Sequence, residues 1–474
     1  MARVAVYVVF SACLAAVPRV ALAGPLDDLQ PGEWYEVPSS HMEDVAGPNP
    51  GNGNVSCVMS CWAGGAFDPK RDRLYVTGGG HQGYAGNEIY AFDVNDLIWH
   101  RLDDPSPIAS IDGTGTECPD PSLAPCSTHT YDGLEYVPPP VDRLIVAGCC
   151  LPSAYEYNLD AATWALRALP PNLGNTIGNF SATDPVSGLF FFFFHATYGG
   201  PLVAYDGTRG TWTDYGSDSW FGYYFTAAID PVRRKLVAVG QSDPNALDVV
   251  GKVLVWDISD PNAPKIGVQP AATTGDQAPM SSNSPGFDYD PVSDKLVAWL
   301  GGSDVYALDM DAMSWEKRAA TNAVMPTAPN GNGTFGRFRY VPSKNVFILV
   351  NQTNENVFFY KLARGGGTPF DGGTMGLGGS SATGAGAAPG SGAGVGGVDG
   401  SVGAGSAEAP SPASDQGDCA CRLVGGRRVA ARNGHRFFLG LFAIVAGFAL
   451  RRRARPRALT SSRHRRVARA NRSA

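Results

Sequence analysis

One phrase recurs six times along the chain and constrains its fold more than any other feature: an apolar or aromatic strand, a turn containing proline, and a second apolar strand. The copies begin at Gly64, Leu134, Ser181, Ala227, Phe287 and Phe338, and their turn prolines are residues 69, 139, 185, 231, 291 and 342. Proline fixes φ at the second position of a type I turn, so each copy predicts a tight β-hairpin. Repeats roughly 46 to 70 residues apart are typical of propeller blades.

A second phrase follows most copies of the first: an aromatic strand, a polar turn that begins with Asp or Asn, and a tryptophan six residues later. Its four full copies end at Trp99, Trp164, Trp212 and Trp315. A fifth copy keeps Asp257 but lacks the tryptophan. This spacing predicts a second hairpin whose turn is capped by the Asp or Asn side chain. Two hairpins make four strands, which is one blade.

The sixth copy is incomplete, because the glycine-rich sequence begins directly after Val357–Arg364. The segment Gly32–Val37 carries an outer-strand residue, Trp34, without a blade of its own. Pairing this segment with the sixth blade would remove two open sheet edges, which otherwise promote aggregation. The sequence therefore predicts an all-β fold, a six-bladed β-propeller over residues 24–364 closed by an N-terminal strand.

The glycine pairs, aromatic positions and tryptophans of these copies resemble kelch-type repeats. Residues 30–364 as a whole resemble the propeller superfamily that includes the central domain of galactose oxidase. The leading hypothesis is a binding or adhesion module for glycan or protein ligands, in which Trp220, Tyr223 and Tyr224 either stack on sugar rings or belong to the core. The alternative is an extracellular, oxidase-like enzyme acting on carbohydrates or alcohols with a metal at the propeller mouth. The adjacent Tyr–His pair of the copper-radical oxidases is absent, and we expect no cofactor.

Polar residues near the loops that lead into inner strands, or out of second strands, form the candidate ligand-binding mouth. They are His81, Gln82, Asn87, His129, Tyr131 and His195. Histidine can ligate a metal or act as a general base. The alternative interpretation is that each histidine is a loop residue bonded to the backbone. No catalytic residue is assigned from the sequence.

The first 23 residues read as a secretory signal peptide, with Arg3 in the charged region, an apolar stretch over Val4–Val17 and the small-residue site Ala21-Leu22-Ala23. Export to an oxidising compartment favours disulfide bonds among the cysteines of the propeller. The candidates are Cys57, Cys61, Cys118, Cys126, Cys149 and Cys150. The local pairs 57–61 and 118–126, with a vicinal pair 149–150, are the simplest of the possible connectivities.

Residues 365–416 are almost wholly Gly, Ala, Ser, Thr, Pro and Val, which predicts a disordered linker. Residues 417–474 contain Cys419 and Cys421, an apolar stretch over Phe437–Leu450 and an arginine cluster, so we expect a short transmembrane helix. This order resembles the C-terminal sorting tags of myxobacterial surface proteins. The resemblance implies recognition by an envelope sorting protease, with Cys419 or Cys421 as the processing and anchoring point. A plain single-span anchor is the alternative.

The charge is distributed unevenly along the chain. From Cys419 onward there are 15 arginines, no lysine and no acid, which leaves 22 basic against 44 acidic groups in the remainder. A nucleic-acid partner needs a basic face, so the acidic body argues against one. The sequence therefore predicts an exported propeller anchored at the cell surface.

Overall fold

The computed structural model describes residues 24–80, 83–111, 117–148, 151, 153–168, 178–194, 200–218, 224–241 and 249–370. The chain divides into Met1–Val424, which contains the folded part, and Gly425–Ala474, which lies wholly outside the described residues. Among the described residues there is no helix of sufficient length and apolarity to cross a membrane. The predicted signal peptide, transmembrane helix and nearly all of the linker lie outside these residues.

The described strands form six blades, each an antiparallel sheet of four strands. The inner strands are Ala66–Asp68, Leu134–Val137, Phe180–Thr183, Tyr224–Asp230, Gly286–Asp290 and Phe338–Val341. The second strands are Arg73–Val76, Arg143–Val146, Phe190–Phe193, Lys235–Gln241, Lys295–Trp299 and Val346–Leu349. The third strands are Tyr90–Asp93, Ala154–Asn158, Pro201–Asp206, Val253–Asp257, Val305–Asp309 and Phe358–Tyr360. The outer strands are Ile98–Arg101, Thr163–Arg167, Thr211–Ser217, Gln269–Ala271, Ser314–Arg318 and Trp34–Glu36.

Short elements decorate the blades. A parallel strand, Thr274–Gly275, extends the outer edge of blade 5, and the two-residue strands Ser110–Ile111 and Glu117–Cys118 pair with each other. The described helices are single turns: Met42–Val45, Cys57–Ser60, Ala278–Ser281 and Phe335–Arg337. The predicted disulfide pairs Cys57–Cys61 and Cys118–Cys126 are confirmed. Cys149 and Cys150 lie outside the described residues.

The hairpin turns form as the repeated sequence predicts. In the turn between the third and outer strands of blade 5, Oδ1 of Asp309 accepts hydrogen bonds from the backbone N–H groups of Asp311 and Ala312, at 2.9 Å each. In blades 1, 3, 4 and 5 the Asp that precedes the turn proline caps the inner hairpin in the same way, as Asp230 does for Val232 at 3.0 Å. The aspartate side chain therefore accepts hydrogen bonds from backbone N–H groups that have no backbone partner in these short turns.

Both faces of each blade are buried against a neighbouring blade. The described core falls into six clusters, and each cluster joins two successive blades around the ring. The run Phe190–Phe194 illustrates the consequence, because Phe190 and Phe192 pack toward blade 2 whereas Phe191 and Phe193 pack toward blade 4. A strand buried on both faces has no polar side, which explains an uninterrupted run of phenylalanine.

The predicted closure of the ring is confirmed. Trp34 pairs with Tyr360 and Glu36 with Phe358 in an antiparallel register, so the N-terminal segment is the outer strand of blade 6. The Trp34 ring is 1% exposed, lies 4.9 Å from the Tyr360 ring and donates a hydrogen bond from Nε1 to Ser303 O at 2.8 Å. The N-terminal strand therefore pairs with the third strand of blade 6 and also contacts blade 5.

The two faces of the ring differ in what they carry. We call the face at which the chain enters each inner strand the mouth face, and the face that holds the inner-strand turns the turn face. On the turn face, Arg233 of blade 4 bonds Asp230 of its own turn and reaches Asp294 and Asp311 of blade 5, at 2.7 to 2.9 Å. Arg71 makes the corresponding contacts between blades 1 and 2. These bridges lock neighbouring blades together around the turns.

Replacing Trp34 with alanine should destabilise the propeller strongly, because it removes a fully buried indole from the closing strand. Truncations of this kind cost about 3–5 kcal/mol. Urea unfolding followed by tryptophan fluorescence measures the loss. The matched control is Trp164→Ala on the outer strand of blade 2, which is only half-buried and should cost less. Equal losses for the two variants would contradict a special role for the closing strand.

Candidate active site at the propeller axis

Four charged side chains from the inner strands and their leading loops meet at the centre of the ring. We call Asp132, Glu135, Asp288 and Arg339 the axial cluster. Glu135, Asp288 and Arg339 stand at the same place in the repeat, three residues before the first turn proline of blades 2, 5 and 6. The inner strand of each blade contacts the inner strands of both neighbouring blades, so this position faces the axis.

Asp132 ties the ring together from its centre. It lies just before the inner strand of blade 2, and its Oδ2 accepts a hydrogen bond from Ala227 N of blade 4 at 2.9 Å. Its backbone oxygen accepts a hydrogen bond from the Ser181 hydroxyl of blade 3, and its Oδ1 lies 3.8 Å from Arg339 Nη2 of blade 6. One residue therefore contacts three other blades, which is possible only near the axis.

Arg339 supplies the positive charge that faces these carboxyl groups. Its Nη2 donates a hydrogen bond to Oε1 of Glu135, and its Nε donates to Gly336 O at 3.2 Å. Asp288 completes the cluster and accepts hydrogen bonds from the backbone N–H groups of Tyr289 and Tyr340, at 2.8 Å each. Three carboxyl groups thus share a single guanidinium.

The shortage of positive charge sets the electrostatics of the cluster. Burial raises the pKa of Asp132 to about 7 and that of Glu135 to about 8, although the charge of Arg339 opposes both shifts. Burial also raises the pKa of Asp288. Burial alone would lower the pKa of Arg339, but the three acids outweigh it and raise that pKa, so Arg339 stays charged. Two carboxyl groups therefore change protonation close to neutral pH.

A second arginine of blade 6, Arg337, has a different role. It is fully buried, and its guanidinium donates to four backbone oxygens: Ala63, Val350, Asn351 and Gly333, at 2.5 to 2.9 Å. Because no carboxyl group among the described residues opposes the effect, burial lowers the pKa of Arg337 to about 9. Its hydrogen bonds fix the loop of blade 1 to that of blade 6, so Arg337 shapes the mouth and does not neutralise the axial carboxyls.

Aromatic residues from three blades lie over this region on the mouth face. We call Trp62, His129, Tyr131 and Phe335 the aromatic mouth. The His129 ring lies 5.0 Å from Trp62 and 6.2 Å from Tyr131, and Phe335 lies 6.0 Å from Tyr131. Tyr131 N donates to Trp62 O at 2.6 Å, which holds the loops of blades 1 and 2 together. The structure thus brings two of the predicted site residues, His129 and Tyr131, to one place.

The loop that follows the second strand of blade 1 fits closely around His129. Gly80 has φ of +79°, and a Cβ there would lie 1.7 Å from His129 Cδ2. Only glycine fits a position with this φ and this close approach. The glycine run before His81 therefore serves to admit the imidazole of His129.

Asn87, another predicted site residue, holds two loops of the chain together. Its side-chain amide donates to Pro125 O at 2.9 Å and its Oδ1 accepts from Ser106 N at 2.8 Å, so both ends of the amide hold loops of the chain. Pro125 precedes Cys126 in the segment that leads to His129. Asn87 thus braces that segment. His81, Gln82 and His195 lie outside the described residues, as do Trp220 and Tyr223.

The metal that the oxidase-like alternative would place at the mouth finds no support among the described residues. Asp93, Asp96 and His100 are the described group with metal-ligand geometry, and they lie on the outer hairpin of blade 1. Asp93 is already bonded to Arg73 Nε at 2.9 Å and to the backbone of its own turn. At the axis, the charge opposite the carboxyls is that of Arg339.

The axial cluster is the part of the site that the sequence analysis missed. The signal was a charged residue inside an otherwise apolar strand: Glu135 in LEYV, Asp288 in GFDYD and Arg339 in FRYV. Blades 1, 3 and 4 have alanine at the corresponding position. An alignment of the six copies on the first proline of each turn would have shown these three charged residues at a position that is alanine in the other three blades.

Similarity to known proteins is found among solved structures. No family model matches the chain, and no curated protein matches it. Among solved structures, it is similar to a protein described as a candidate gluconolactonase, with a TM-score of 0.41 and 13% identity, over 64% of this chain and 89% of that one. It is also similar to a gluconolactonase from Xanthomonas campestris, with a TM-score of 0.41 and 9% identity, over 62% of this chain and 84% of that one.

These comparisons correct two predictions. The two structural neighbours described above are named as gluconolactonases and not as kelch or galactose-oxidase propellers, so only the six-bladed fold of the kelch-type assignment is supported. The predicted binding or adhesion module is contradicted by the same descriptions, since both neighbours are named as gluconolactonases. At these identities and scores the likeness concerns the fold alone. Any activity has to be argued from the residues of this chain.

The raised pKa of Glu135 makes a prediction about stability. A carboxyl whose pKa is raised by folding stabilises the native state fully below its ordinary pKa and loses that contribution as the pH rises through about 8. The free energy of unfolding should therefore fall between pH 5 and pH 8.5. Glu135→Gln should make this fall shallower by a few kcal/mol, since one pKa unit corresponds to about 1.4 kcal/mol.

Urea unfolding at pH 5, 6, 7 and 8.5 measures the slope. Glu316→Gln, an exposed change of the same chemistry on the outer strand of blade 5, is the matched control. Asp132 and Asp288 remain in the variant and should retain part of the pH dependence. Parallel stability curves for wild type and Glu135→Gln would show that burial does not raise this pKa.

Proposed function

We propose that the protein is an enzyme that hydrolyses an ester or lactone bond of a small substrate at the axial cluster. The observation that carries the proposal is the pair Asp132 and Glu135, with pKa values of about 7 and 8, beside the permanently charged Arg339. Carboxyl groups that titrate near neutral pH suit acid–base catalysis. Perturbed pKa values of this kind concentrate at functional sites.

The two carboxyl groups divide the chemistry between them. Burial raises the pKa of both groups toward neutral pH, so the cluster can hold one ionised and one protonated carboxyl group, and the proposal assigns the ionised form to Asp132 and the protonated form to Glu135. Asp132 takes a proton from water as the water oxygen forms a bond to the carbonyl carbon. The tetrahedral intermediate then collapses, the bond from the carbonyl carbon to the leaving oxygen breaks, and Glu135 gives its proton to that oxygen. Transfer of a proton from Asp132 to Glu135 restores the starting state.

Arg339 provides the third element that ester hydrolysis needs. As the water attacks, negative charge develops on the carbonyl oxygen, and a fixed guanidinium can stabilise that charge in a site of low dielectric. Arg339 is held by Glu135 and by Gly336 O, so its position does not have to be organised during the reaction. In this proposal the aromatic mouth, with His129 and Tyr131, orients the substrate above the cluster.

We also propose that the enzyme works outside the cytoplasm, attached to the cell surface. The two disulfide bonds are typical of an exported protein. Both ends of the described chain lie at the turn of blade 6 on the turn face: Lys344 Nζ bonds Asp27 at 3.0 Å, and Thr368 N donates to Pro342 O at 2.7 Å. The linker would therefore leave from the face opposite the mouth. A membrane helix over residues 437–450 and a sorting protease complete this proposal.

Assays of hydrolysis test the catalytic assignment. The purified protein should hydrolyse members of a panel of small esters and five- and six-membered lactones in a pH-stat. kcat/KM should rise with pH near 7 and fall near 8, because Asp132 must be ionised and Glu135 protonated. Asp132→Asn and Glu135→Gln should each lower kcat/KM by about 100-fold or more.

Two exposed changes are the matched controls: Asp44→Asn and Glu316→Gln should hydrolyse the same substrates at the wild-type rate. Circular dichroism of each variant checks that the propeller remains folded. Absence of hydrolysis between pH 5 and 9, or full activity in both axial variants, would overturn the proposal.

Mass spectrometry of the protein isolated from the cell envelope tests the anchor. Processing by a sorting protease predicts a mature C-terminus at or near Cys419–Cys421, and Cys419→Ser with Cys421→Ser should then release the protein into the medium. An intact C-terminus at Ala474 would contradict processing and support a plain single-span anchor.

A further inference from the structure

A cavity of about 290 Å³ lies on the mouth face, beside the aromatic mouth. We call it the side pocket. Its walls come from the end of the second strand of blade 4 at Gln241, from the loop that enters blade 5 around Asn283, from the end of the second strand of blade 5 at Trp299, and from the loop that enters blade 6 around Asn330. Thr334, which precedes Phe335 of the aromatic mouth, also lines it.

The polar side chains of the side pocket are neutral. Gln241, Asn283 and Asn330 contribute amides, and Ser282 and Thr334 contribute hydroxyls, while none of the described residues that line the cavity is charged. Amides and hydroxyls both donate and accept hydrogen bonds, as the hydroxyl groups of a sugar do. A phosphate or carboxylate ligand would instead require a cation. The lining therefore selects for a neutral, hydroxyl-rich molecule.

Several of these groups have hydrogen-bonding capacity to spare. Oδ1 of Asn330 accepts from Asn332 N at 2.9 Å, which orients the amide, and its Nδ2 makes no hydrogen bond to any described residue. Within the described part of the chain, the side-chain amides of Gln241 and Asn283 make none either. Both of these side chains are exposed, so replacing them leaves the fold intact.

The remaining wall is apolar and rigid. Trp299 is fully buried behind the cavity, with its Nε1 bonded to Gly302 O at 2.9 Å, and Leu300, Pro285 and Pro329 lie around it. A Cβ at Gly301 would lie 2.7 Å from Pro329 Cδ, so the backbone and the proline are already in close contact. An apolar wall with a few placed polar groups is the usual build of a small-molecule site, and the volume is at the lower end of such sites.

We propose that the side pocket binds one neutral sugar ring, and that this ring belongs to the substrate whose ester or lactone bond reaches the axial cluster. The assignment of this ring to the substrate rests on the proposed function, whereas the binding of a sugar ring in the side pocket does not. Thr334 and Phe335 are adjacent in sequence, so a ring in the side pocket lies next to the aromatic mouth. The substrate class is thus a carbohydrate derivative.

Saturation-transfer NMR with the methyl glycosides of glucose, galactose, mannose and xylose tests the side pocket directly, with sodium glucuronate as the charged comparison. At least one neutral glycoside should bind, and glucuronate should bind more weakly. Gln241→Ala and Asn283→Ala should each weaken binding several-fold, and the double variant about tenfold or more. Asn262→Ala, an exposed change on the outer connection of blade 4, is the matched control and should bind as wild type.

The axial variant Glu135→Gln separates this inference from the proposed function. It should lose hydrolysis yet bind the glycoside normally. Glycoside binding that is lost in the side-pocket variants, without hydrolysis by any form of the protein, would leave the side pocket assigned and overturn the hydrolase. Conversely, hydrolysis that depends on Glu135 with no glycoside binding, or with equal binding in the side-pocket variants, would overturn the sugar site alone.

Discussion

The structure depends on one constraint: each blade is apolar on both faces, so no blade can lie at an open end. Phe190–Phe194 shows this most clearly, since its side chains alternate between two neighbouring blades. A row of such sheets leaves two apolar faces in water unless it closes into a ring. The pairing of Trp34–Glu36 with Phe358–Tyr360 completes this closure, with strands from opposite ends of the described chain.

Closure has a chemical consequence at the axis. The inner strands of all blades converge there, and any polar side chain at the inward position is removed from water whatever its charge. Glu135 and Arg339 are buried in this way, Asp132 joins them from the adjoining loop, and Asp288 is half-buried beside them. Removing charges from water is costly, and with three acids for one guanidinium the cost is relieved by protonation. The fold buries these carboxyl groups together with the apolar strands, and this burial raises the pKa values of Asp132 and Glu135 toward neutral pH.

Proton transfer near neutral pH is what such carboxyl groups offer, and Arg339 adds a fixed positive charge. In the proposed mechanism the cluster supplies a base, an acid and a stabilising cation within one site. The loops of the mouth face then decide what reaches it. Arg337 braces these loops through backbone oxygens, and Gly80 lets His129 lie against them.

The repeat made the fold predictable from the sequence. Turn prolines, Asx caps and outer-strand tryptophans are local signals, and even the closing strand could be found because Trp34 had no blade of its own. The site was harder, because its residues are related only through the ring: Glu135 and Arg339 are far apart in sequence. The loop histidines were predicted as site residues because of their residue type. The importance of Glu135 comes instead from its burial at the axis, which no local sequence pattern predicts.

The protonation states at the axis can be measured directly. Carbon-13 NMR of the side-chain carboxyl groups, recorded from pH 4 to pH 9.5 on protein labelled at Asp and Glu, follows each group through its own titration. Two carboxyl groups should titrate with midpoints near pH 7 and pH 8. The Asp132 signal should be missing in Asp132→Asn, and the Glu135 signal should be missing in Glu135→Gln. If every carboxyl midpoint lay below about 5.5, the axial cluster would be a permanently ionised salt bridge, and the catalytic role argued for it would be contradicted.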